Sequence, residues 1–281
     1  MRVKITVCLL LWITCFGMLF SGVTSNDGNE HRLDYRCAGQ QNSHYIHEDI
    51  LRYCGPINSI LYDILEKERG GYSKAWISSG GGNIAAAIDI VDLLRRENKY
   101  LIISQICASA CANFLFAGSE EVKIRGDTIV LFHHTSSTAL QRVASSRYLE
   151  KEKFLQYNKT YAEPETQFYE AFSLDKAWLY EPDLITKPIC MRSIDVKDEG
   201  EAPILHFENE YDYWMPPQKM LKKLNSNFEI EWGRVNEETL LHESKYHQLL
   251  GENSVYFSET IEFVHTETDF ANLARLPECE N

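Results

Sequence analysis

A mixed α/β fold built on a mainly parallel sheet is what this sequence predicts, and three observations predict it. Between Lys74 and His133 short β-prone runs alternate with segments of helical periodicity. The longest run, residues 100–106, is apolar almost throughout, as a strand buried on both faces of a parallel sheet must be. Glycine clusters, Gly70-Gly71 and Gly80-Gly81-Gly82, punctuate the alternation. The 281 residues suffice for one large domain or a medium domain with an appendage, and 44% hydrophobic against 25% charged residues is ordinary globular composition.

The chain begins under a different rule. Arg2 and Lys4 lead into an apolar run over residues 7–23, and Val23-Thr24-Ser25 precedes the polar Asn26, the pattern of a signal peptide over residues 1–25. The run falls short of the ~20 residues of a spanning helix, so cleavage is expected and the mature chain is expected to be secreted or periplasmic. Membrane contact is expected only where the segment stays uncleaved. Residues 26–196 then form the main domain, after an irregular lead-in over 26–44.

Residues 50–53 make a short strand closing on Cys54-Gly55. Pro56 suits a first helical position, and Ile57, Ile60, Leu61, Ile64 and Leu65 recur as a buried helix face stopped by Gly70-Gly71. Residues 74–78 form the next strand, and Ile84, Ala87, Ile88, Val91 and Leu94 the next helix. After the apolar strand, residues 108–117 read as a buried helix ending at Gly118. Residues 122–124 and 128–133 are further strands. Residues 143–172 predict a charged amphipathic helix interrupted near Pro164; within it Asn158-Lys159-Thr160 matches a glycosylation acceptor, relevant to a eukaryotic source. The Lys197-Asp198-Glu199-Gly200-Glu201 stretch is a linker, and residues 197–281 are a C-terminal extension with a Pro216-Pro217 break and one or two strands in 255–264. It carries no legible site, so its expected job is packing or partner contact.

A net charge of −13 without any Lys/Arg block excludes a nucleic-acid partner. Export would place the cysteines in an oxidising compartment. Cys8 and Cys15 leave with the signal, and six remain. Proximity in sequence favours Cys37 with Cys54 and Cys190 with Cys279, leaving Cys107 with Cys111 on either side of a serine.

That serine, Ser109, lies between Ala108 and Ala110, small residues that allow a sharp strand-to-helix turn on which a hydroxyl stands clear of the backbone. The amide after it and the positive helix end point where a carbonyl oxygen would sit. A lone serine before a helix is most often an N-cap. Two further features raise the catalytic reading: the turn from Ser79 to Gly82, whose glycines can bring a backbone amide opposite Ser109, and His133-His134 at the end of a later strand. Gly80, Gly82 and Ala85 also satisfy the G-x-G-x-x-A dinucleotide pattern, but export and the missing ribose-binding carboxylate argue against it. Adjacent histidines on a strand face opposite ways, so Cys107, Cys111, His133 and His134 do not make a zinc set. Neither metal nor cofactor is expected.

Three segments, Ile77-Ser78-Ser79-Gly80-Gly81-Gly82-Asn83-Ile84, Cys107-Ala108-Ser109-Ala110-Cys111 with Ala117-Gly118, and Val130-Leu131-Phe132-His133, together resemble the proteolytic subunit of the Clp protease and its exported relatives in the ClpP/crotonase superfamily. The resemblance spans roughly residues 50–196. It implies a stacked ββα spiral, ring-forming homo-oligomers and a peptide or protein substrate. It further implies Ser109 as nucleophile, His133 as general base with His134 as the alternative, and the amides of Gly81 and Ala110 as oxyanion hole. Gly80 replaces the family's proline. Asp175 and Asp183 both lie at plausible distances for the third, orienting carboxylate. The leading expectation is an exported serine peptidase; the alternatives are an inactive scaffold or binding protein of the same fold and a crotonase-type acyl-thioester enzyme.

Overall fold

Asn58 and Asn83 each turn the chain from a strand into a helix, because their side-chain oxygens accept the otherwise orphaned amides of the first turn. Asn58 accepts from Leu61 N at 3.1 Å and Asn83 from Ala86 N at 2.9 Å. Helices α1 (Ser59–Lys67) and α2 (Ile84–Arg96) follow from these caps. The cap at Asn58 corrects the expected start at Pro56; Ile57 lies before the helix, whose buried side is Leu61 and Leu65 while Ile60 is 51% exposed.

The computed structural model describes residues 43–126, 128–139, 151–194, 204–226, 228–230, 250, 252–258, 262–263, 277 and 279, all within one compact unit, Asp34–Asn281. The expected signal peptide, the linker at 197–201 and Cys37 lie outside these residues. Among them no helix is long and apolar enough to cross a membrane.

The core element is a mostly parallel sheet in the order β1-β2-β3-β4-β5-β10, with β6 also beside β4. Its strands are β1 (Ser43–His47), β2 (Ile50–Cys54), β3 (Lys74–Ser79), β4 (Tyr100–Ala108), β5 (Val122–Ile124), β6 (Ile129–Leu131) and β10 (Phe228–Ile230). Within this sheet, among the described residues, only the β1–β2 pair is antiparallel. The predicted α/β class with a parallel centre is what forms. The β1 hairpin occupies the end of the expected irregular lead-in.

Strand β4 organises the rest. Its first half pairs with β5 (Leu101↔Val122 to Ile103↔Ile124) and its second with β6 (Ile106↔Ile129 to Ala108↔Leu131). Between the halves the register against β3 jumps from Ile77↔Ile103 to Ser79↔Cys107, and Gln105 takes a left-handed φ of 57°. Such a bulge re-aims the strand end. Its result is that β3 and β6 flank the same end of β4.

On one face the helices bury Leu51, Ile77, Leu101 and Ile103 against Ile90, Val91 and Leu94. On the other a smaller cluster joins Ile106, Ala108, Ile129 and Leu131 to Met215 and Leu250. The long helix α4 (Lys151–Ala171) runs straight through Pro164, correcting the expected interruption there. Its Phe168 lies so close to Gly118 that a Cβ there would come within 2.4 Å of the ring. Helix α5 (Ala177–Ile185) and the β7–β8 hairpin (Pro188–Ile194, Ile204–Asn209) come next. They are followed by β9 (Tyr213–Met215), α6 (Gln218–Leu224) and β11 (Val255–Phe257), which pairs parallel with β9.

Two disulfides match the proximity pairing, Cys107–Cys111 and Cys190–Cys279. Cys54 is also disulfide-bonded.

Candidate active site

Ser109 follows the last residue of β4 and holds φ at 55°, a left-handed conformation that a side chain with a Cβ enters only at a cost of order 1 kcal/mol. Several contacts over-determine it. Its N–H donates to Leu131 O on β6 at 3.0 Å, and its carbonyl accepts from Asn113 N at 2.8 Å. The Cys107–Cys111 bridge closes around it. Beyond it Cys111–Phe116 winds as a π-helix, α3, with every residue buried. The serine itself is half-buried.

The glycine turn lies directly against this corner. A Cβ on Gly81 would stand 2.5 Å from Ser109 Cβ and 3.0 Å from its Oγ, so only glycine, at φ 109°, fits. Gly81 is pinned from both sides: its carbonyl accepts from Ile57 N at 2.8 Å, and its N–H donates to Ser79 Oγ at 3.1 Å. That amide is therefore satisfied within its own turn. The amide of Ala110 belongs to the first turn of a helix, where donors have no partner inside the helix.

His133 lies two residues beyond Leu131, the residue that receives the Ser109 amide. Its Nδ1 is 3.3 Å from His134 Nδ1, and the two rings meet edge to face. Burial drives the His133 pKa down to about 4, while the negative charge of Asp212 pushes the other way. The ring is thus neutral at pH 7 and able to accept a proton. Among the described residues no hydrogen bond joins Ser109 Oγ to either imidazole.

Residues from the C-terminal third help build this side. Phe132 and Trp214 exchange backbone hydrogen bonds at 2.8 and 2.7 Å, and the Tyr213 ring packs edge-on to His133 with centroids 5.4 Å apart. Asp212 is held by Ser254, accepting from its N at 2.7 Å and its Oγ at 3.0 Å. Of the two carboxylates expected as the third member, Asp175 accepts from Ala177 N at 2.9 Å and so starts α5. Asp183 is fully buried on that helix.

A second carboxylate was not expected at all. Glu165 on α4, 1% exposed, accepts from Ser136 N at 3.1 Å and from Ser137 N and Oγ at 2.7 and 2.8 Å. It caps the helical turn that begins at Ser136, two residues beyond His134, by taking its first amides. Its desolvation raises its pKa to about 7 even against those donors. Neither Asp212, in an exposed turn, nor Glu165, in the charged stretch Glu163-Pro164-Glu165, carries a local pattern that would mark it. The only signal is the Glu165–Tyr169 spacing, which puts a carboxylate on the apolar stripe of α4.

Cys190, Glu208 and Cys279 bring donor atoms within 4.8 Å of one another, but the two sulfurs are joined as a disulfide and offer no thiolate to a metal.

No family model matches the chain, and no curated protein does. Among solved structures the chain is similar to a mutant ClpP1 from Listeria monocytogenes, at 17% identity and a TM-score of 0.29, over 45% of this chain and 77% of that one.

Proposed function

We propose that this chain is an exported serine hydrolase of the ClpP/crotonase type that cleaves peptide bonds. The observation carrying the proposal is the approach of the Gly81 turn to a left-handed Ser109 at the end of a parallel strand, with the strand that leads to His133 hydrogen-bonded through Leu131 O to the same serine. A strained, over-determined side chain at such a position is characteristic of a functional site.

In this reading neutral His133 takes the Ser109 proton as Oγ attacks the carbonyl carbon. The charge that develops on the carbonyl oxygen is met by the Ala110 amide and by the Gly81 amide once it leaves Ser79 Oγ. The imidazolium then returns its proton to the departing amine, and water resolves the acyl-enzyme by the same route reversed. Asp212, rather than Asp175 or Asp183, supplies the negative charge that stabilises the imidazolium. Residues 1–25 would direct export, and the active form would be a homo-oligomer around a peptide or protein substrate.

A second reading, a silent scaffold with the same fold, is favoured by two observations: the Gly81 amide is already satisfied by Ser79, and among the described residues no hydrogen bond joins Ser109 Oγ to His133 or His134. A fluorophosphonate probe on the purified mature chain separates the two. The hydrolase reading expects stoichiometric labelling that Ser109→Ala abolishes; labelling that survives the substitution, or never occurs, leaves the scaffold.

A further inference from the structure

Glu165 and Tyr169 are four residues apart on α4, so their side chains leave the same face of the helix one turn apart. Both are fully or almost fully buried, and the two reach opposite halves of the site. Glu165 accepts two backbone amides and a hydroxyl from Ser136 and Ser137, the residues after the histidine pair. The Tyr169 hydroxyl donates to Asn113 O at 3.3 Å, and the amide of Asn113 donates to the carbonyl of Ser109 at 2.8 Å. The Phe114–Phe168 ring pair, with centroids 5.2 Å apart, adds an apolar contact between α4 and the serine helix. A carboxylate desolvated to this extent is costly unless its hydrogen bonds hold something in place.

We propose that Glu165 and Tyr169 are positioning residues: through them α4 acts as a rigid gauge that fixes the separation of the Ser109 and His133 corners. The consequence for catalysis rests on the hydrolase reading; the geometric claim does not. A nucleophile and its base need placement within a fraction of an ångström, so a loosened gauge lowers the rate of the chemical step and leaves ligand binding nearly alone.

Glu165→Gln tests this, since it keeps the shape but turns one acceptor into a donor facing the Ser136 and Ser137 amides. In the full mature chain three results are expected. The first is at least about tenfold faster hydrogen exchange at the Ser136 and Ser137 amides. The second is a His133 titration midpoint, read by NMR, that rises from about 4 toward the ordinary imidazole value as water reaches the freed helix start. The third is a fluorophosphonate kinact about tenfold lower with KI within about twofold. Tyr169→Phe, which removes only the hydroxyl, should lower kinact by a smaller factor in the same direction. Where Glu165→Gln does not fold, Ser137→Ala removes one of the same bonds and should speed exchange at Ser136. Unchanged exchange and an unchanged His133 midpoint in a folded variant overturn the proposal. A chain that the probe never labels overturns the hydrolase reading instead, and the exchange and titration readouts still decide the gauge.

Discussion

The two halves of the candidate site are held by opposite means. The serine corner is fixed within a few residues of itself, by a disulfide from Cys107 to Cys111, by a helix that starts at once and by a glycine turn two residues past the neighbouring strand. The histidine side is fixed from far along the chain, by Glu165 on α4 and by Phe132–Trp214 and His133–Tyr213 contacts with residues some eighty positions later. Local covalent and turn geometry resists change until it clashes. A helix start clamped by a buried carboxylate instead responds to pH, to burial and to single hydrogen bonds. The asymmetry makes the serine side the frame and the histidine side the adjustable part.

The largest effect should come from breaking the frame. Gly81→Ala would drive a Cβ to 2.5 Å from Ser109 Cβ and 2.9 Å from Ala108 O at a φ of 109°, and since one obstacle is backbone, the corner itself must shift. A loss of about 3 kcal/mol or more in denaturant unfolding is expected. Gly70→Ala, where nothing lies within 4 Å of the added methyl, should stay within about 0.5 kcal/mol. Equal costs at the two glycines would mean that the close approach does not exist in solution.

The adjustable side should show itself in pH dependence. His133 has its pKa lowered from 6.5 to about 4 by burial, so its contribution to stability is complete above 6.5 and lost as pH falls toward 4. Glu165 has its pKa raised from 4.5 to about 7 by burial, so its contribution is complete below 4.5 and lost as pH rises toward 7. Each swing is worth up to about 3 kcal/mol, and the two nearly cancel across that window. Relative to the parent chain, His133→Asn should therefore gain about 3 kcal/mol between pH 7 and pH 4, and Glu165→Gln should lose stability over the same fall by less than that, because its His133 midpoint has itself moved toward the ordinary imidazole value. The check is urea unfolding at both pH values; slopes of the same sign in the two variants would refute the opposition.

The same asymmetry explains what could be read from the sequence. Ser109, Gly81, the Cys107–Cys111 pair and the apolar β4 announce themselves in short windows, because turn chemistry and strand burial are local constraints. The α/β class follows from the same alternation. Pro164 misled because a proline inside a helix costs local hydrogen bonding that the burial of Phe168 and Tyr169 outweighs. Ile60 misled because Ile57, counted in the same apolar stripe, lies before the Asn58 cap and outside α1, whose buried side is Leu61 and Leu65. Asp212, Tyr213 and Glu165 were invisible: each sits in polar, unremarkable sequence, and only the pairing of β9 with Phe132 and the crossing of α4 bring them near the histidines.

A smaller effect is expected from opening the disulfide at the corner. With a sequence separation of 4, the Cys107–Cys111 bridge constrains the unfolded chain by only about 2 kcal/mol, against more than about 4 for the separation of 89 in Cys190–Cys279. Replacing both Cys107 and Cys111 by Ser should thus cost less stability than replacing Cys190 and Cys279, yet only the first pair should slow probe labelling of Ser109. Both corner sulfurs are fully buried, so a dithiol added to the folded protein should reduce them only as fast as the corner opens. Rapid reduction without loss of structure would show the corner to be less firmly held than the histidine side.

The smallest effect should be at Asp212, the exposed group whose charge reaches the half-buried His133 ring. Its carboxylate raises the His133 pKa against the pull of burial, but it is exposed, so water and salt screen it. Asp212→Asn keeps an oxygen to accept from Ser254 N and removes the charge, so fold stability should change by less than about 0.5 kcal/mol. The His133 midpoint should fall below about 4 by less than roughly one pH unit, measurably at low ionic strength and hardly at all at high salt. A salt-independent shift would place the carboxylate in direct contact with the ring. A shift upward, or none at low salt, would remove Asp212 from the histidine side and return the search for a third residue to Asp183.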